Sequence, residues 1–163
     1  MPLRVVLMGV SGCGKSSTGL ALARRLGLSY RDGDDLHPPE NVERMRQGIP
    51  LSDADRAPWL RAVADVLRDQ APVIVGCSAL KRDYRDLLRQ CAGGPLHFVH
   101  LAGSRALILA RMQARTGHYM PPALLDSQFA TLEPPTAGER ALTVDIALPT
   151  DELAAQIASW LSR

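Results

Sequence analysis

The chain has 163 residues, 46% of them hydrophobic and 22% charged, with a formal net charge of +2. This composition is typical of a soluble globular domain, and the small net charge gives no reason to expect nucleic acid or a membrane surface as a partner. No stretch approaches the ~20 apolar residues of a membrane-spanning helix, and the N-terminus lacks the pattern of a secretion signal.

The predicted elements alternate between strand and helix along the whole chain. Apolar runs predict strands at residues 3–8, 28–31, 72–77, 96–101 and 142–146. Helical patterns lie between them, at residues 16–26, 39–46, 53–69, 81–91, 104–115, 121–131 and 151–161. Strands that are apolar throughout and separated by helices are typical of a parallel sheet covered on both faces. We therefore predict a three-layer α/β/α fold and a single domain over residues 1–163.

Local signals mark two helix starts and one unusual loop. Ser52 and Asp55 form a capping-box pattern that predicts the start of the third helix, with Pro58 in its early turns. Thr150 is the predicted N-cap of the last helix. Residues 116–138 are polar, are bounded by Gly and Pro, and fall outside the strand pattern, which predicts a mobile lid.

The three cysteines, Cys13, Cys77 and Cys91, show neither C-x-x-C nor metal-finger spacing. This usage indicates free thiols and therefore a cytoplasmic protein. Cys13 lies just before a predicted helix, where a lowered thiol pKa would allow redox sensing. The other interpretation of Cys13 is a small residue that the loop tolerates.

Residues 9–16 read G-V-S-G-C-G-K-S, a complete G-x-x-x-x-G-K-[ST] pattern between the first strand and the first helix. In that context the loop amides turn inward around phosphate oxygens at a helix N-terminus. The pattern predicts binding of ATP, with Lys15 on the β- and γ-phosphates and the Ser16 hydroxyl on Mg²⁺. The predicted phosphate-binding set is Gly9, Val10, Ser11, Gly12, Cys13, Gly14, Lys15, Ser16 and Ser17.

Asp32 and Asp34 follow the second predicted strand, at the end of the sheet where open α/β folds place ligands. Residues two apart in a strand point the same way, so both carboxylates are expected to converge on one site. One carboxylate would hold Mg²⁺, and the other would orient a substrate hydroxyl and accept its proton. An acidic surface turn is the alternative, because Asp-Gly pairs commonly form turns.

No hydrophobic run of the sequence ends in the Asp that holds the metal in motor and switch NTPases. The run at residues 72–77 closes on Gly76 and Cys77 and is followed by Ser78. Asp32 is then the natural carboxylate on the metal side. The pattern therefore favours a kinase that acts on a small molecule.

Basic residues cluster in loops and first helical turns on the side where the phosphate loop opens, which favours a small anionic acceptor. The members of this set are His37, Arg56, Lys81, Arg85, Arg89 and His118. Arg111 and Arg115 share a helical face just before the predicted lid, where they would neutralise the transferred phosphoryl group or stack on adenine. The alternative for this pair is the ordinary preference for Arg at a helix C-terminus.

Several segments resemble, in order, those of the gluconokinase family of phosphate-loop small-molecule kinases. Besides the loop, they read D-G-D-D-L-H-P at 32–38, P-L-S-D-A-D-R-A-P-W-L at 50–60, C-S-A-L-K-R-D-Y-R-D-L-L-R at 77–89, R-T-G-H-Y-M at 115–120 and Q-F-A-T-L-E at 128–133. The single residues Asn41, Met45 and Gly48 belong to the same ordered series. The resemblance covers nearly the whole chain. Cys13 stands where Ser is frequent and Tyr119 where Phe is frequent, and neither change removes a charged group.

The resemblance implies transfer of the γ-phosphoryl group of ATP to the 6-hydroxyl of D-gluconate, with Mg²⁺, by a homodimer. It also implies a nucleoside monophosphate kinase-like fold with strand order 2-3-1-4-5 and a mobile lid. The expected catalytic residues are Lys15, Asp34, Arg111 and Arg115. The expected gluconate ligands are Asp34, His37, Arg56, Lys81, Arg85 and His118, and the expected metal ligands are Ser16 and Asp32.

Two other functions stay open at this point. A kinase of the same architecture with another acceptor, such as shikimate or a nucleoside monophosphate, is one, although His37 and the Pro58-Trp59 pair point away from shikimate. A non-catalytic nucleotide-binding regulator is the other. It would bind ATP without acceptor-stimulated turnover, and the intact Lys15 and Asp34 count against it.

Overall fold

Five parallel strands form the centre of the computed structural model, which describes residues 2–115 and 121–163. The strands are β1 (Arg4–Met8), β2 (Ser29–Asp32), β3 (Val73–Gly76), β4 (His97–Ala102) and β5 (Leu142–Asp145). Their order across the sheet is β2-β3-β1-β4-β5, so the predicted order 2-3-1-4-5 is confirmed.

Helices cover both faces of this sheet, as the three-layer α/β/α prediction requires. Within the described residues they are α1 (Lys15–Leu26), α2 (Pro39–Arg46), α3 (Asp53–Asp69), α4 (Arg82–Cys91), α5 (Arg105–Ala114), α6 (Pro122–Thr131) and α7 (Thr150–Leu161). Helix α1 packs beside α7, and α3 packs beside α4. Short 3-10 turns lie at Gly33–Leu36 and Ala137–Glu139.

The register of the sheet brings three strand ends to the same level. All five residues of β1 are buried between β3 and β4. Gly76 at the end of β3 pairs with Leu7 of β1 on one side and with Asp32 of β2 on the other. The loops that follow β1, β2 and β3 therefore meet at one edge of the sheet, which is where ligands bind in open parallel sheets.

The predicted helix starts have different outcomes. Ser52 and Asp55 form the expected capping box: the Ser52 amide donates to Asp55 Oδ2 at 2.9 Å, and the Asp55 amide donates to Ser52 Oγ at 3.0 Å. The N-cap prediction for Thr150 is wrong, because Thr150 is already helical and Pro149 caps the helix. The carbonyl of Pro149 accepts the Leu153 amide at 3.1 Å, and proline suits the residue before a helix because it has no N–H to satisfy.

The predicted lid, residues 116–138, includes α6. Leu125 of α6 is fully buried in the hydrophobic core, so this helix is packed onto the fold in the described conformation. Residues 116–120 lie outside the described residues, and the mobility of the lid stays a prediction. Among the described residues, no helix is both long and apolar enough to span a bilayer.

Candidate active site

The glycine-rich loop joins β1 to α1 and needs glycine at two positions for different reasons. Gly14 has φ +95° and caps α1, a left-handed conformation that other residues adopt only at a cost. Gly12 has φ +82°, and a Cβ there would lie 2.6 Å from Met112 Cγ. The loop is therefore shaped both by its backbone and by its contact with α5.

Lys15 holds the loop from inside. Its ammonium donates to the carbonyls of Gly9 at 3.0 Å and Val10 at 3.2 Å. Burial works against the charged form, but Cys13, Asp34, Cys77 and Asp32 together raise the pKa of Lys15 above its usual value. Lys15 is therefore a firmly cationic group at the floor of the loop.

Other members of the predicted phosphate-binding set differ in exposure. Val10 and Cys13 are buried beneath the loop, and Ser17 is exposed on α1. The burial of Cys13 weighs against the redox-sensing interpretation, because an oxidant has little access to the thiol. The amide of Ser11 donates to Gln128 Oε1 of α6 at 2.7 Å, so a side chain from α6 already engages one loop amide.

The turn after β2 places two carboxylates beside this loop. Asp32 Oδ1 accepts the Asp34 amide at 2.9 Å, and the hydroxyl of Ser16 donates to Asp32 Oδ2 at 3.5 Å. Trp59 of α3 donates its indole N–H to the carbonyl of Gly33 at 2.7 Å. Side-chain bonds on both sides therefore fix the turn that carries Asp32 and Asp34.

Asp34 is open to the solvent of the cleft while protein surrounds it on the other sides. This partial desolvation raises its pKa; Lys15 acts in the opposite direction, and the neighbouring Asp32 and Asp35 raise the pKa further. A carboxylate with a raised pKa is a stronger proton acceptor. Asp34 thus has the position and the electrostatics of a general base.

The two loops open into one cleft of about 760 Å³. The residues that line it come from the phosphate loop, the turn after β2, the loop after β3, the segment before α3, and helices α2, α3, α5 and α6 with Arg115 at the end of α5. Of the residues predicted from sequence, it is lined by Ser11, Gly12, Gly14, Lys15, Ser16, Asp32, Asp34, His37, Arg56 and Arg115. Residues that the sequence did not single out also line it, including Ser78, Met112 and Gln128. Gln128 was visible only as the first letter of the segment at 128–133.

His37 and Arg56 both line the cleft and form one part of its wall. The His37 ring stacks on Trp59, with ring centroids 4.1 Å apart and an interplanar angle of 15°. Burial, together with the cation of Arg56, lowers the pKa of His37 to about 4, so its imidazole is neutral at physiological pH. Arg56 donates to the Tyr84 hydroxyl at 2.8 Å. The wall therefore combines one neutral ring with one cation.

Arg85 requires a correction. We expected it to bind the acceptor, but its side chain is fully buried and all five of its N–H groups are used within the protein. They bond to Glu139 at 2.7 and 3.0 Å, Ala79 O at 2.9 Å, Leu80 O at 3.2 Å and Glu133 O at 3.0 Å. The prediction is wrong because the face of α4 that carries Arg85 points into the protein.

Three more predicted cations do not line the cleft in the described part of the chain. Lys81 pairs with Asp53 at 3.1 Å, and Arg89 pairs with Asp86 at 2.9 Å. Arg111 donates to the Ile146 carbonyl, just beyond β5, at 2.6 Å. His118 lies outside the described residues. Arg56 and Arg115 are the predicted arginines that do reach the cleft.

Comparisons with known proteins show to which family the chain belongs. A family model described as an AAA domain matches residues 5–135. The chain is 49% identical to a protein named gluconokinase from Gluconobacter oxydans over 88% of this chain and 82% of that protein. It is 44% identical to a probable gluconokinase from Mus musculus over 96% of each.

A solved structure is also closely similar. The crystal structure of a gluconokinase from Sinorhizobium meliloti superposes with a TM-score of 0.91 at 50% identity, covering 99% of this chain and 93% of that one. The chain belongs to the gluconokinase family of phosphate-loop kinases.

Proposed function

We propose that this chain transfers the γ-phosphoryl group of ATP to the 6-hydroxyl of D-gluconate, yielding 6-phospho-D-gluconate and ADP. One observation carries the proposal: a single cleft contains the phosphate loop with Lys15, the carboxylate of Asp34, and a wall formed by His37 and Arg56. Membership of the gluconokinase family supports gluconate as the acceptor.

On the nucleotide side, the loop amides and Lys15 would hold the β- and γ-phosphates. Phosphoryl transfer depends on positioning and on stabilising charge spread over the phosphoryl oxygens. Arg115 lines the cleft and is our candidate for the cation that stabilises the charge on those oxygens. Arg111 is not among the described residues that line the cleft, and its guanidinium donates to the Ile146 carbonyl, so contact with adenine is the role that stays predicted for it.

Ser16 and Asp32 fit a magnesium site. Both supply oxygen atoms, they face each other across 3.5 Å, and both line the cleft beside Lys15. Mg²⁺ prefers oxygen ligands and commonly takes one or two from the protein and the rest from phosphate and water. Bound there, it would neutralise charge on the transferring phosphates.

Asp32→Asn tests this assignment without disturbing the turn, because an asparagine oxygen still accepts the Asp34 amide. We expect the Mg²⁺ concentration for half-maximal activity to rise about tenfold, as for other changes around metal ligands. Calorimetric titration of ATP binding at several Mg²⁺ concentrations gives a readout independent of turnover. Asp35→Asn, in the same turn, is the matched control, and an unchanged Mg²⁺ requirement in Asp32→Asn would remove Asp32 from the metal site.

On the acceptor side, Asp34 would accept the proton of the attacking hydroxyl. Arg56 would bind the carboxylate of the sugar acid, since among the described residues Tyr84 is the sole hydrogen-bond partner of its guanidinium. His37 would bind a hydroxyl or a carboxylate oxygen as a neutral ring. His118 remains a candidate on the family resemblance alone, while Lys81 and Arg85 are left out because Asp53 and Glu139 already pair with them.

We further propose a cytoplasmic homodimer of single-domain subunits, closed over its ligands by a lid around residues 116–138. The free thiols of Cys13, Cys77 and Cys91 support a reducing compartment. The dimer rests on the family resemblance, and the lid rests on that resemblance and on the polar, Gly- and Pro-bounded sequence of residues 116–138. Light scattering of the purified chain, and hydrogen exchange of the lid with and without ATP, test them.

An acceptor panel tests the proposed function. We expect ADP release to depend on D-gluconate and not on shikimate or on nucleoside monophosphates. A preference for shikimate would indicate another kinase of the same fold. ATP binding without stimulation by any acceptor would indicate a nucleotide-binding regulator.

A further inference from the structure

Asn41 is a buried polar residue that lies four residues after His37, in the first turn of α2, and is not among the described residues that line the cleft. It belongs to α2 and is 4% exposed. Its amide nitrogen Nδ2 donates to the carbonyl of Asp55 at 2.9 Å and lies 3.3 Å from His37 Nδ1. Asn41 therefore links the first turn of α3 to a ring in the wall of the cleft.

This geometry determines which nitrogen of His37 carries the proton. A backbone carbonyl only accepts hydrogen bonds, so the group of Asn41 that faces Asp55 must be its NH₂. The same NH₂ faces His37 Nδ1, and that nitrogen must therefore accept. A neutral ring that accepts at Nδ1 carries its hydrogen on Nε2, whereas a doubly protonated ring would set two donors against each other.

The plane of the ring is fixed from another direction. Trp59 stacks on His37 and is itself held by the bond from its indole N–H to the Gly33 carbonyl. Gly33 immediately precedes Asp34, so the ring and the proposed base are tied to one turn. With the plane set by Trp59 and Nδ1 occupied by Asn41, the remaining hydrogen-bonding atom of the ring is Nε2–H.

We propose that Asn41 is a positioning residue that fixes His37 as the neutral Nε2–H tautomer, so that His37 donates a hydrogen bond to an oxygen of the acceptor. The two residues of the wall then have separate tasks: Arg56 supplies the charge that a carboxylate needs, and His37 supplies a directed neutral donor. The claim about the acceptor rests on the proposed function. The claim about the tautomer does not.

The charged groups around His37 are consistent with a neutral ring. Arg56 of α3 is the nearby cation, and its charge disfavours a positively charged ring at His37. Asp55 of α3 is engaged by Ser52 and by Arg44 of α2, and Asp34 and Asp35 lie in the turn before the ring. With a pKa of about 4, His37 gains its second proton only in acid, well below physiological pH.

Nitrogen-15 NMR of the histidine side chains of the intact protein is the direct test. We expect His37 Nδ1 to show the shift of an acceptor nitrogen and Nε2 that of a protonated one, with the signals assigned by their loss in His37→Gln. A hydrogen on Nδ1, or an imidazolium at neutral pH, overturns the proposal. This measurement needs neither turnover nor gluconate, so it remains decisive if the proposed function is wrong.

Two substitutions of Asn41 test its role. Asn41→Leu keeps the volume but removes the donor, so we expect a mixture of tautomers and a KM for gluconate about tenfold higher, with the KM for ATP unchanged. Asn41→Asp places a carboxylate beside Nδ1, so we expect the pKa of His37 to rise towards its usual 6.5 or above. Glu40→Gln, on the exposed face of the same helix, is the matched control. A single Nε2–H tautomer and an unchanged gluconate KM in Asn41→Leu would overturn the proposal.

Discussion

Replacing Asp34 by asparagine is expected to lower kcat about 10³-fold while ATP binding stays near that of the unaltered protein. The amide keeps the size of the side chain and can still orient a hydroxyl, but it cannot accept a proton. Asp34 lines the cleft with Lys15, and its raised pKa suits the role of proton acceptor. Steady-state ADP release measures kcat, and titration with a fluorescent ATP analogue measures binding.

Asp35→Asn provides a closely matched control. Asp35 lies in the same turn, carries the same charge and is likewise exposed, but it is not among the described residues that line the cleft. We expect its kcat to change less than about threefold, in line with the small effects of exposed charges. Near-normal turnover in Asp34→Asn, or an equal loss in both variants, would remove Asp34 from the role of base.

Arg85→Met is expected to lower the free energy of unfolding by about 3 kcal/mol, as for a buried ion pair that loses one partner. Arg85 and Glu139 are both without exposed side-chain surface, and Arg85 also binds the carbonyls of Ala79, Leu80 and Glu133. Ala79 has φ +43°, so the backbone before α4 holds a conformation that non-glycine residues rarely adopt. Arg85 thus connects that loop to the segment following α6.

Arg82→Met serves as the control for Arg85→Met. Arg82 lies in the same helix, but its side chain is 52% exposed and only approaches Asp86 at 3.7 Å. Urea unfolding should show almost no change for Arg82→Met. Equal stabilities of the two variants would contradict the structural role that we assign to Arg85.

The ion pair between Arg85 and Glu139 is sensitive to acid because Glu139 can be protonated. Hydrogen bonds from Arg85 lower the pKa of Glu139 to about 2, from a usual value of 4.5. Because the folded pKa is depressed, the stabilisation is complete above about pH 4.5 and is lost as the pH falls towards 2. The free energy of unfolding of the unaltered protein should therefore fall over that interval, and that of Glu139→Gln should fall less. Parallel stability curves for the two proteins would show that Glu139 does not contribute in this way.

The sequence was sufficient for the sheet and for the nucleotide half of the cleft because the signals there are local. The capping box at Ser52 marked the start of α3, and the glycine-rich loop was recognisable from its own spacing between a strand and a helix. Asp32 and Asp34 could be placed because the carboxyl ends of parallel strands meet at one edge of the sheet. Each of these inferences needs only a few neighbouring residues.

The acceptor half depended on contacts between distant parts of the chain. The sequence placed Arg85 in a cluster of basic residues but did not show which face of α4 turns inward, and its partner Glu139 lies 54 residues away. The contact between Gln128 and Ser11 spans 117 residues, and the one between Asn41 and Asp55 joins two helices. Such pairs become visible only when the fold brings them together.

Product analysis tests the central claim most directly. With purified protein, ATP, Mg²⁺ and D-gluconate, phosphorus-31 NMR should show one new phosphomonoester per ADP formed, and carbon-13 couplings should place it on C6 of gluconate. Omitting gluconate should abolish both signals. ADP formed at the same rate without gluconate, with inorganic phosphate as the product, would contradict the assignment of this cleft to a sugar-acid kinase.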